Sequence, residues 1–243
     1  MVFSVRTTIG VLLVLVCGLA AGGCGSSSGG GGNGVSDGVA VQVGNYTVSK
    51  AEVAHWIPIE AIVSQEVIPK GPIPNGMVPD PPSYTNCLTY QRKVVLNTPG
   101  EKTAPTVPQL RRECRERYEH ARSGVLNMLV IYGWLKEEAA AHGIKVSDAE
   151  AQQRFTETTS KEFKTTTLQQ YLTRTGLTSA DELLRIKNNL LSTIALTRIF
   201  PHQPHPKQAY PEFTLHWVAK THCAPEYITP NCKEYRGPHP PGT

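Results

Sequence analysis

Cys87, Cys114, Cys223 and Cys232 carry the most chemistry in this chain, because a cysteine can pair oxidatively, bind a metal as thiolate or attack as a nucleophile. They remain once Cys17 and Cys24, near the N-terminus, are set aside from the total of six. An even set suits two disulfides if the chain is exported. Of the possible connectivities, Cys87–Cys114 and Cys223–Cys232 each close a local loop. Chain entropy assigns about 3 to 4 kcal/mol to the first and slightly less to the second. The alternative is a zinc site built from His216, His222, Cys223 and Cys232, whose spacing lacks a Cys-x2-Cys pair. Other nucleophile patterns are weaker. Ser123 and Gly124 fall inside a helical repeat rather than a strand-turn-helix elbow. His202 and His205 sit in a proline-rich link with no nucleophile or base beside them. The sequence therefore assigns no catalytic residue, no metal and no cofactor.

The compartment follows from the stretch LAAGGCGSSSGGGG, Leu19 to Gly32. Arg6 is the only charge before Cys24, and an apolar run begins at Ile9. That run has the length of an export signal and is shorter than the roughly 20 apolar residues that cross a bilayer. Ala21, Gly22, Gly23 and Cys24 resemble a bacterial lipobox, in which cleavage precedes a diacylglycerol-modified cysteine; Cys17, after bulky Val16, fits less well. The expected divisions are a signal peptide over 1–23 and a lipid-anchored Gly/Ser tether over 24–38, with an ordinary secretory signal as the alternative. A lipid chain contributes about 0.8 kcal/mol per buried CH2 toward holding the protein at the extracytoplasmic face of the bacterial cell membrane. The formal charge of +4 is only mildly basic. RRECRER, Arg111 to Arg117, mixes signs as a solvated helix face does, so no nucleic-acid partner is expected.

The elements that must position these residues can be read in order. VAVQV, Val39 to Val43, alternates as a strand, and Gly44–Asn45 turns it into Tyr46, Thr47 and Val48. Ser49 and Glu52 open a short helix through Trp56, which Pro58 should kink or end. From 64 to 106 the prolines at 69, 72, 74, 79, 81, 82, 99 and 105 predict a long irregular insertion. Pro108 then suits the first turn of a long helix whose face runs Leu110, Cys114, Tyr118, Ala121, Val125, Met128, Tyr132, Leu135, Ala139, ending at Gly143. Ser147 and Glu150 cap another helix, Leu168 to Thr175 form one that stops at Gly176, and Ser179 with Glu182 caps a last one closed by Pro201. Over 201–243 a His/Pro-rich link leads to FTLHWVA, Phe213 to Ala219, which alternates as an edge strand, and to a disulfide loop. The expected fold class is mostly α with a small β element from the N- and C-terminal strands.

The order of VQVGNYTVSKAEV, EEAAAHGIKVSDAE, TGLT and DELLRIKNNLL resembles the N-terminal chaperone domain of SurA-like and PrsA-like foldases over 39–200, the insertion excepted. It is similar to actinobacterial lipoprotein members, in which two cysteines flank the insertion and a segment like WVAKTHC lies near the C-terminus. The resemblance implies a membrane-anchored extracytoplasmic holdase for unfolded or nascent secreted proteins, binding them by non-directional apolar contact. Family members with isomerase activity carry a parvulin domain, and the residues after Phe200 are too few to hold one. Client-binding candidates are Trp56, Ile57, Met128, Tyr132, Trp134, Phe155 and Tyr171, for which core packing is the alternative. A prolyl isomerase-related foldase, a hydrolase and a dedicated envelope interaction lipoprotein using the insertion stay open; clients and oligomeric state are not legible.

Overall fold

The computed structural model describes residues 35–65, 71–97, 105–162, 167–200 and 206–237. Cys24, the leader and most of the tether lie outside the described residues, as do Pro201, His202 and His205. The fold is mostly helical with one small three-stranded antiparallel sheet.

Strands β1 (Val39–Val43) and β2 (Tyr46–Ser49) form the hairpin expected around Gly44, whose φ of +55° a glycine adopts without strain. Ser49 Oγ accepts from the Glu52 N–H at 3.0 Å and starts helix α1 (Lys50–Val63). The helix does not end at Pro58 but runs through it to Val63. A proline inside a helix costs about 3 kcal/mol or more. Residues on both sides of it, Trp56, Ile57, Ile59, Ala61 and Ile62, are buried in the main core and offset that cost.

The insertion holds a second helix, α2 (Thr85–Leu96), where an irregular segment was expected. Its residues fall between Pro82 and Pro99, a window free of proline. Asp80 supplies its start: Oδ2 accepts from Asn86 N–H and Oδ1 from Cys87 N–H, both at 3.0 Å. Burial disfavours the charged carboxylate, but these two bonds outweigh it and hold Asp80 below the usual carboxylate range. Gly76, at φ +83°, is required where the preceding loop crosses α2, since a Cβ there would come within 2.0 Å of the Asn86 carbonyl oxygen.

Helix α3 (Val107–Ala141) is the spine, about 50 Å long at 1.5 Å per residue. Thr106 and Gln109 make a reciprocal capping box around Pro108, and Gly143 follows the last turn at φ +67°. The expected face is buried at Leu110, Cys114, Ala121, Val125, Tyr132, Leu135 and Ala139. Its middle is also buried elsewhere, at Leu126, Leu129, Val130 and Trp134, because α1, the sheet and the C-terminal segment enclose it. Gly133 permits the sheet to approach: a Cβ would meet Tyr46 Cδ1 at 2.7 Å.

Helix α4 (Asp148–Glu162) begins where Ser147 Oγ accepts from Glu150 N–H. Helix α5 (Leu168–Thr175) ends at Gly176, with φ +76°. Helix α6 (Ser179–Ile194) is capped one residue earlier than expected, with Thr178 and Asp181 forming the box. Asp181 is the shorter acid and reaches back to the Thr178 backbone at 2.8 Å. A π-helical turn, Ala195–Ile199, follows. FTLHWVA is helical rather than a strand. It lies in α7 (Pro206–Ala219), with Phe213 and Trp217 one turn apart on the buried face and Leu215 exposed. The edge strand is the next segment, β3 (Thr221–Cys223), which pairs with β1 and gives the order β2-β1-β3.

Candidate functional site

The disulfides join Cys87 to Cys114 and Cys223 to Cys232, with Cα separations of 6.0 and 5.8 Å. The second bond removes both thiolates from the zinc arrangement. His222 Nδ1 lies 2.9 Å from Glu234 Oε1, and Glu234 Oε2 accepts the Cys223 N–H.

The client-binding candidates separate into two groups. Trp56, Ile57, Tyr132 and Trp134 are core residues, none more than 9% exposed. Trp134 Nε1 donates to Thr221 Oγ1 at 2.7 Å, which donates in turn to the Trp217 carbonyl, while Trp217 Nε1 donates to Glu138 Oε2 at 2.8 Å. This chain ties α7 and β3 to α3. Both indole N–H groups are satisfied, as buried tryptophans require. Trp56, Met128 and Tyr132 do converge, together with Leu184, around Asn188, but the space left is only about 10 Å³, room for a single water. No open groove remains between Trp56, Met128 and Tyr132, whereas Ile57 lines a recess of about 410 Å³ with Tyr118 and Tyr227. Met128, Phe155 and Tyr171 are half-buried.

Tyr171 lines a cleft of about 840 Å³ between α4 and α6. Ile186, Leu190 and Tyr171 supply apolar surface, and Glu150, Arg154 and Glu157 from α4 form one wall. From α6, Arg185 Nη1 donates to Tyr171 Oη at 3.2 Å and to Glu182 Oε2 at 3.0 Å. Burial works against the Arg185 charge, yet Glu182 and the Tyr171 hydroxyl outweigh it and lift the guanidinium above its ordinary value. An ion pair between Lys187 and Asp148 also links the two helices. The cleft offers apolar surface between charges of both signs, with Arg185 fixed in place. Such a surface can take up a polypeptide segment.

Phe155, on α4, is not among the cleft residues. Leu190 lies half-buried in the opening. The signal that separates it from its neighbours is the row of charges facing it from α4, a tertiary feature that the periodicity of α6 does not carry.

No helix among the described residues is long and apolar enough to cross a membrane. No family model, curated protein or solved structure matches the chain.

Proposed function

We propose that the chain is an extracytoplasmic holdase of the SurA-like and PrsA-like type, lipid-anchored through Cys24, that takes unfolded exported polypeptides into the α4–α6 cleft. The observation that carries this reading is the cleft itself, with apolar residues Tyr171, Ile186 and Leu190 between charges of both signs. Apolar contact tolerates many client sequences, and the mixed rim accepts main-chain and side-chain polar groups without selecting one charge. A tether at the membrane raises the effective concentration of the domain where clients emerge. The resemblance over 39–200 and the two disulfides support an exported chaperone module.

Aggregation suppression and proline-limited refolding, measured on the same disulfide-intact preparation, test the proposal. Several unrelated unfolded clients should stay soluble at near-stoichiometric ratios, and Leu190→Glu should weaken that effect several-fold at an unchanged melting temperature. Unchecked aggregation of all clients rejects it, and faster refolding points to the isomerase-related reading instead. A dedicated interaction lipoprotein is the second reading, favoured by Val94 and Leu96, exposed on the stapled insertion; it requires one retained partner and no general suppression.

A further inference from the structure

Where α1, α2 and α3 meet the proline-rich loop, a separate recess of about 370 Å³ opens, within the range of small-ligand sites. Gln91 lines it from α2, Ser64 and Gln65 from the end of α1, and Glu113, Arg117 and His120 from α3. The Gln91 residue is only 8% exposed, and its Nε2 is buried without a hydrogen-bond partner. A buried amide donor left unmatched is costly and rare in folded proteins, and at the wall of a recess it marks a place for an acceptor.

The surrounding groups select among acceptors. Arg117 Nη2 already donates to Gln65 Oε1 at 3.4 Å and to the Met77 carbonyl at 3.3 Å. Two carboxylates, Glu113 and Glu116, share the recess, so an anion would meet net negative charge; Glu116 is itself 3.8 Å from Arg112. His120, on α3, is a further lining residue. An ammonium or guanidinium ion has no lone pair to accept from Gln91. A neutral amide meets both requirements, with a carbonyl oxygen for Gln91 Nε2 and an N–H for a glutamate, and its carbon skeleton can rest on Ala61 and Pro79.

We infer that this recess binds a peptide amide group, and that Gln91 is its specificity-determining donor. The site is distinct from the α4–α6 cleft, and neither depends on the other. The Cys87–Cys114 bond holds it in shape, since Gln91 lies one turn beyond Cys87 and Glu113 precedes Cys114.

The test uses the disulfide-intact 15N-labelled protein, titrated separately with N-acetylglycine methylamide, acetate and methylguanidinium while the Gln91 side-chain NH2 resonances and, in every variant, the backbone amides of Glu113, Glu116 and Arg117 are followed. The amide should shift them saturably, Gln91→Leu should weaken its binding about tenfold, the equivalent of one hydrogen bond, and Glu113→Gln should weaken it several-fold. Glu113→Gln keeps the inference testable if Gln91→Leu fails to fold. Saturable shifts with acetate or methylguanidinium alone would overturn it, as would no shift with any probe, which would mean occupancy by water only. Aggregation suppression that survives Gln91→Leu leaves the holdase reading standing whatever the titration gives.

Discussion

The C-terminal segment from Phe213 to Cys232 and the insertion from 71 to 97 both dock on α3, the first with a disulfide closed within itself and the second with one that joins it to α3, but different forces hold them. In the first, Phe213, Trp217, Cys223 and Cys232 all belong to the main core, Trp134 meets Phe213 edge to face at 6.1 Å, and β3 completes the sheet. In the second, the separate buried apolar cluster is small, Tyr84, Cys87 and Cys114 with Leu88 and Tyr118 packed beside it, and Met77 and Val78 add further apolar burial from the insertion. Polar attachments make up the difference. Arg111 Nη1 donates to the Ser83 carbonyl at 3.2 Å, Arg117 holds Met77, and Asp80 caps α2. The same covalent bond therefore has two roles: in the C-terminal segment it adds to packing, whereas in the insertion it replaces packing that the composition cannot supply.

The largest effect should come from the core side of this contrast. Trp134→Ala removes an indole that is 3% exposed and leaves Thr221 Oγ1 without its donor, so it should destabilise the domain by about 3 to 5 kcal/mol in chemical denaturation. Global loss should dominate, with the insertion and the C-terminal segment unfolding together.

Serine replacement of each cysteine pair sharpens the comparison. Loss of Cys87–Cys114, which spans 27 residues, should cost about 3 to 4 kcal/mol in the chain-entropy picture; loss of Cys223–Cys232, which spans 9, should cost less. The distribution of the effect matters more than its size. Limited proteolysis should cut the insertion first in the Cys87→Ser, Cys114→Ser variant, and the C-terminal segment should stay resistant in the Cys223→Ser, Cys232→Ser variant because its aromatic packing persists. Equal protease sensitivity in the two variants would erase the distinction.

The smallest effect concerns Asp80. Its folded-state pKa lies below the unfolded value, so its contribution is present above about pH 3.9 and is lost as pH falls through the lowered folded value. Asp80→Ala should cost about 1 kcal/mol at neutral pH, the usual size of a lost helix cap. In acid titrations followed by the melting temperature, the difference from wild type should shrink toward zero below that window.

Parts of this organisation were legible in the sequence because they depend on local spacing. The β1–β2 turn, the face of α3 from Leu110 to Ala139, the stops at Gly143 and Gly176 and both disulfide pairings follow from short-range rules. The failures share a cause in tertiary packing. The Phe213, Leu215, Trp217 alternation fits a strand, but Phe213 and Trp217 also stand four apart, and burial against Trp134 selects the helix. Pro58 passes for a helix end until the packing of α1 is known. Prolines around 64–106 masked α2, whose start depends on a carboxylate five residues upstream. The aromatic candidates at 56, 132 and 134 have helical spacing suited to either a groove or a core, and only the surrounding helices and sheet decide for the core.

Hydrogen exchange with and without an unfolded client tests the proposed function most directly. If the α4–α6 cleft receives the client, amides in α4 around Arg154 to Thr158 and in α6 around Arg185 to Thr193 should gain protection, and the β-sheet should exchange unchanged. Client-dependent protection confined to the insertion around Tyr90 to Asn97, or no protection in either helix while the client is bound, would contradict it.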